Sequence, residues 1–147
     1  FNTVVSTAPT FEFDALSGSR GTIERLQLEN NVLASFAPRP THANVRISAP
    51  TAWQSDFNAF FRQQGPEFEF SGTRSMFTLQ AWRTATSRDA SSIETNPLFV
   101  DVAARDFRPS PASPLRGAGR TNARVLVDFS GRQRPASPDP GAFQHCP

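Results

Sequence analysis

The chain contains no lysine, no tyrosine and a single cysteine, Cys146, one residue from its end. One thiol builds neither a disulfide framework nor a cysteine-based metal site. It leaves at most a bridge to another chain or an attachment point. No apolar run approaches the ~20 residues that a membrane-spanning helix needs, so no membrane span is expected. The first residues, Phe1-Asn2-Thr3-Val4-Val5, lack the charged and apolar regions of a secretory signal. The expectation is that a signal has been removed or that the polypeptide continues upstream. Only His42 and His145 supply imidazole, far apart in sequence. All 15 basic residues are arginines, scattered among 13 acidic ones for a formal charge of +2. Basic residues spread in this way make no nucleic-acid footprint.

Within its 147 residues, 37% are hydrophobic, with 14 Phe and 2 Trp. That is enough apolar material for a packed core and too much for wholesale disorder. Thirteen prolines and eight glycines are spread through the chain, most densely after Arg108. Such punctuation breaks long helices and suits short strands joined by turns. Phe11-Glu12-Phe13, Val45-Arg46-Ile47 and Phe68-Glu69-Phe70 each put two apolar side chains on one face of a strand. Ser17–Gly21, Pro38–Thr41 and Gln64–Pro66 are turn material. A loose repeat runs through Asn2-Thr3-Val4-Val5, Asn30-Asn31-Val32-Leu33 and Asp56-Phe57-Asn58-Ala59-Phe60, at a spacing of about 28 residues. Stacked repeats put Asn above Asn, where side-chain amides form a ladder, and fill the interior with Val, Leu and Phe. A β-sandwich with strands every ~10 residues fits the same runs.

Residues 77–88 differ from the rest. Thr78 is placed to N-cap a short helix on which Leu79, Trp82 and Ala85 recur at helical spacing. Trp82 is expected in the core rather than as a sugar-stacking platform.

Several segments resemble the closing region of right-handed parallel β-helix repeat proteins of the pectate-lyase-like superfamily. They are Thr78–Trp82, Asp89–Ile93, Asn96–Asp101, Asp106–Arg108, Ser113-Pro114 and Gly117–Gly119, followed by Asp128–Pro135 and Asp139–Phe143. Asn30–Leu33 and Ser55–Asn58 look like the last regular coils of such proteins. The resemblance implies an all-β fold: a right-handed parallel β-helix, with residues 1–72 as the last coils. Residues 73–147 would then be a short helix and a Pro-rich capping segment of the same domain. Pro109, Pro111 and Pro114 fit that cap, because proline cannot accept another ladder strand. Enzymes of the superfamily cleave acidic polysaccharides by β-elimination along a groove on their central coils. That resemblance carries no catalytic residue onto this chain.

The residues themselves offer little chemistry. Glu12 with Asp14, and Glu67 with Glu69, would share strand faces, but solvated outward positions account for them. No oxygen cage for Ca²⁺ is apparent, so no metal and no cofactor are expected. Arg20, Arg25, Arg46 and Trp53 are the candidates for a carbohydrate-binding surface. Asn2, Val4 and Val5 read as a core strand with nothing to stack on. They are the candidate assembly interface, for another protein chain or an upstream part of a precursor. The function these features point to is a non-catalytic, secreted or cell-surface protein, structural, adhesive or carbohydrate-binding, and a fragment or subunit of a larger assembly. The alternative is the C-terminal part of a polysaccharide lyase-like enzyme whose active site lies upstream.

Overall fold

A computed structural model of the chain describes residues 1–7, 13–16, 25–37, 45–48, 52–63, 68–70 and 76–145. In chain order these form β1 (Thr3–Ser6), β2 (Phe13–Leu16), β3 (Leu26–Glu29), β4 (Val32–Ser35), β5 (Val45–Ser48), β6 (Trp53–Asp56), β7 (Ala59–Arg62), β8 (Phe68–Phe70) and β9 (Met76–Phe77). Helix α1 (Leu79–Thr86) follows, then β10 (Ile93–Glu94), β11 (Phe99–Asp101) and β12 (Asp106–Pro109). They assemble into four small sheets, ordered β1-β4-β7-β10, β2-β5-β8-β9, β3-β6 and β11-β12.

These observations correct the expected fold class, an all-β, right-handed parallel β-helix. The strands are two to four residues long and fall into separate sheets that mix parallel with antiparallel pairing. β8–β9 and β11–β12 pair antiparallel, and a helix lies between β9 and β10. The described residues show no closed solenoid. The physical reason lies in the second half, where prolines and glycines leave the chain no length over which to ladder. Residues 110–145 consequently run as turns and irregular backbone, tied by one antiparallel bridge, Val127 to Gln133.

What the first half does have is strict register. β1 lies parallel on β4, and β4 on β7, with Val4, Leu33 and Phe60 aligned across the three. β3 lies on β6 and β2 on β5 in the same sense. The sequence alternation sets which residues turn inward. Leu28, Leu33, Val45, Phe60 and Phe68 come together from all three of these sheets, and Leu79 and Trp82 of α1 close over them. Phe68 stacks on Trp82 with ring centroids 5.1 Å apart and meets Phe60 edge-on at 4.9 Å. Burying side chains of this size stabilises by about 1.5–3 kcal/mol each.

A second cluster forms on the opposite face of the first sheet, where Val32, Ala34 and Ala59 meet Leu115 of the tail. β4 is therefore buried along its whole length. This explains its near-continuous apolar run, the pattern of a strand covered on both faces.

Corner residues fix the turns between strands. Asn30 and Phe57, each following a strand and preceding a ladder asparagine, have φ of +58° and +56°. Asn tolerates this left-handed conformation; Phe adopts it at a cost. Next to them, a polar chain runs through the interior. Asn2 Nδ2 donates to Asn31 Oδ1 at 3.1 Å, and Asn31 Nδ2 to Asn58 Oδ1 at 3.1 Å. The same oxygens accept the backbone N–H of Asn2 and of Asn31. Asn58 then donates to the Leu28 carbonyl, the Ser55 hydroxyl and Asp89 Oδ1, sharing two N–H groups among three acceptors.

Asp89, 1% exposed, ends the chain of donors. Its Oδ1 also accepts from the hydroxyls of Ser55 (2.8 Å) and Ser92 (2.6 Å), and its Oδ2 from the Trp82 indole N–H (2.9 Å). A buried carboxylate survives only when its lone pairs are met in this way. Helix α1 is thereby locked to the strands. Thr78 caps its first turn by accepting from the Ala81 N–H, as the sequence suggests, and Trp82 is buried. Replacing Asp89 with Ala leaves four donors facing a gap. We expect a loss of about 3 kcal/mol or more in unfolding free energy, read by urea denaturation, with Asp89→Asn less damaging. A change under about 0.5 kcal/mol for Asp89→Ala would contradict this role.

Candidate functional site

Two surface features stand out, an open strand edge at the Asn2 end of the ladder and a polar groove. The edge is β1, which pairs on one side only among the described residues. Val32 N–H donates to the Asn2 carbonyl and Phe36 N–H to the Ser6 carbonyl, both at 2.8 Å. Even-numbered backbone groups of β1 thus face β4, and those of Thr3 and Val5 face outward, in the alternation of a parallel pair. Val4 occupies the inward register position above Leu33 and Phe60. Those two are buried, while Val4 is 36% exposed. The difference arises because nothing among the described residues lies over it. At the ladder's end, Asn2 Oδ1 has no donor among the described residues. The equivalent oxygens of Asn31 and Asn58 have two each.

The C-terminal tail borders this edge. Gly141 donates its N–H to the Asn30 carbonyl, and Ala142 donates to Thr3 Oγ1 at 2.9 Å. Gly141 has φ of +92°, and a Cβ there would lie 2.5 Å from Thr3 Oγ1 and 2.8 Å from Val32 Cγ2. Only glycine lets the backbone pass so closely. Buried Asn30 bonds both the N–H and the carbonyl of Arg120. Arg134 reaches the carbonyls of Asp139, Gly141 and Ala142 and lies 4.0 Å from the ring centre of Phe1. Burial lowers its pKa against the pull of Asp128 and Asp139, but an arginine stays charged at ordinary pH. These contacts bring apolar tail residues up beside Val4. Phe1, Val4, Val127 and Phe129 line one groove of about 470 Å³, and Val4, Leu28 and Leu33 line another of about 340 Å³. Phe129 is 82% exposed.

Asp128 anchors the tail. Its Oδ1 accepts from the N–H and hydroxyl of Ser130 and from Arg132 N–H, and its Oδ2 from Gln144 N–H. Burial raises its pKa, but these donors outweigh burial and hold the carboxyl below its ordinary value. Asp139 similarly accepts from Gly117 N–H, His145 N–H and the His145 ring.

The polar groove, about 900 Å³, crosses β3 and β6 and is lined by Arg25, Gln27, Glu29, Trp53, Gln54, Asp56, Arg88 and Arg120 among others. Gln27 and Gln54 are register partners on its floor. Trp53 is not an open platform. It meets Trp82 with centroids 5.5 Å apart, and the Arg88 guanidinium lies over its ring at 5.4 Å.

Of the residues proposed from sequence for carbohydrate, the structure brings Arg25 and Trp53 into this groove. Arg46 lies on β5 in another sheet, where its side chain is outside the described residues, as is Arg20 entirely. Glu12, Glu67, His42 and Cys146 also lie outside them, as do the side chains of Asp14 and Glu69. Asn2, Val4 and Val5 come together on β1, with Val5 half-buried against the second apolar cluster. The sequence pattern does not single out the tail residues Val127 and Phe129 or the groove arginines Arg88 and Arg120 as site residues. Only Val125-Leu126-Val127-Asp128-Phe129, an apolar run in a polar segment, signals any of them. Among the described residues no group of three or more His, Cys, Asp or Glu is placed to hold a metal, and no helix is long and apolar enough to cross a membrane. No family model, no curated protein and no solved structure matches the chain.

Asp128 gives this end of the molecule a pH dependence. A carboxyl whose pKa is depressed by folding stabilises fully above its unfolded value and loses that contribution as pH falls through the folded one. The tail's anchorage should be constant from pH 7 to about 4 and weaken below 3.8, read from hydrogen exchange of the Arg132 and Gln144 amides. Asp128→Ala should expose the same amides at pH 7, at a cost of about 2 kcal/mol. Unchanged protection in that variant would refute the anchor.

Proposed function

We propose that the chain is a non-catalytic structural or adhesive module that works as part of a larger extracellular or cell-surface assembly, joined through β1 to another protein chain or to an upstream part of its precursor. The observation that carries this reading is Val4. It is an inward-register residue aligned with buried Leu33 and Phe60, yet exposed, on a strand whose outer backbone groups have no partner among the described residues. Exposed parallel edges of this kind recruit further strands. The extracellular placement rests on the resemblance of residues 78–143 alone.

Carbohydrate binding is a second reading, favoured by the position of Arg25 and Trp53 in one groove with Gln27 and Gln54. Carboxamides and guanidinium groups bond sugar hydroxyls, but Arg88 already covers the Trp53 ring. An assembly role has the stronger support.

The isolated chain should self-associate as its concentration rises, because the outer side of β1 has no partner among the described residues. Val4→Asp should shift it toward monomer with its circular dichroism unchanged, since Val4 is already partly in water. Sedimentation velocity reads both. A wild-type chain that stays monomeric at about 100 µM, near the micromolar range of ordinary weak association, would count against the reading.

A further inference from the structure

The ladder has a direction, and direction says what its next member must bring. In each step the carboxamide nitrogen of one asparagine donates to the oxygen of the next, Asn2 to Asn31 and Asn31 to Asn58. Each receiving oxygen also takes the backbone N–H of the donating residue. At the far end the donors finish on Ser92 and Asp89, where α1 closes the interior. At the near end Asn2 Oδ1 is an acceptor with both donors missing among the described residues.

From this we infer that the partner at β1 is an extended strand, parallel to β1, carrying an asparagine one level above Asn2 and an apolar residue two positions later. The inference rests on the assembly reading proposed above. The asparagine supplies the two donors that Asn31 Oδ1 and Asn58 Oδ1 receive and that exposed Asn2 Oδ1 does not find among the described residues. The apolar residue lies over Val4, as Val4 lies over Leu33, and borders the grooves lined by Leu28 on one side and by Phe129 on the other. Outward N–H and carbonyl groups of Thr3 and Val5 take the strand's backbone. A second copy of this chain does not meet these needs head to tail, because its opposite end is closed by α1 and by Asp89. Head to head, two β1 strands would run antiparallel and lose the ladder register, so the self-association of the isolated chain through this edge is weak and gives way to a strand that keeps the register. This chain's own β4 shows the matching pattern, Asn31 followed by Leu33.

The test uses the full chain at a concentration where it is monomeric and a fluorescent peptide copying residues 29–36. A second peptide carries Asn31→Leu, which keeps size but cannot donate. Fluorescence anisotropy with wild-type chain should show the Asn peptide binding at least tenfold more tightly than the Leu peptide, the effect of losing about one hydrogen bond. Both should lose binding to the Val4→Asp chain. If the two peptides bind equally and both are lost with Val4→Asp, docking at β1 stands and the asparagine requirement is overturned. If neither binds, or Val4→Asp makes no difference, both are overturned. A chain dimer that excess peptide fails to displace makes the occupant a second copy and overturns the partner strand.

Discussion

A line of carboxamides handing hydrogen bonds in one direction, Asn2 to Asn31 to Asn58, and ending on the buried Asp89 carboxylate organises this molecule. Polar groups in an interior are costly unless every one is met. A one-residue slip of β4 against β7 would separate Asn31 from Asn58 and turn Leu33 away from Phe60 at once, so polar and apolar demands fix the same register. Ser55, Ser92 and the Trp82 indole complete the carboxylate's shell. Through them the helix, the β6 strand and the segment before β10 are held to one point.

From that register follows the division of the interior into two apolar clusters on either side of the first sheet. One is closed by α1. The other is closed by the tail, through Leu115 and the close passage of Gly141 over Thr3 and Val32. The tail has almost no regular structure, and side chain–backbone bonds replace the missing ladder: Asn30 to Arg120, Asp128 to Gln144, Asp139 to Gly117 and His145. The consequence for function is an asymmetry. One end of the strand ladder is sealed by a helix and a carboxylate, and the other shows an exposed valine, an acceptor with no donor among the described residues, and apolar tail residues.

Part of this was legible in the sequence. The asparagines at 2, 31 and 58 recur with apolar residues behind them, and they do align, at separations of 29 and 27 residues. Thr78, Leu79 and Trp82 announced the helix and its buried face. Asn2 and Val4 were legible as part of a core-type strand. The fold class was not legible. Short parallel runs resemble a regular solenoid from their repeat alone, while the antiparallel β8–β9 and β11–β12 pairs depend on turns that periodicity does not encode. Asp89 was invisible as a structural centre, since Ser-Arg-Asp-Ala-Ser reads as an ordinary surface turn. Trp53 reads from sequence as a candidate for a carbohydrate-binding surface because nothing local reveals that Arg88, 35 residues on, lies across its ring.

The central claim concerns the direction and closure of the amide ladder, and side-chain amide hydrogen exchange followed by NMR addresses it directly. The Asn58 and Asn31 carboxamide protons should be strongly protected, Asn58 most of all, with Asn2 the fastest of the three at the open end. Equal, solvent-like exchange at all three would show that no such ladder holds the strands together.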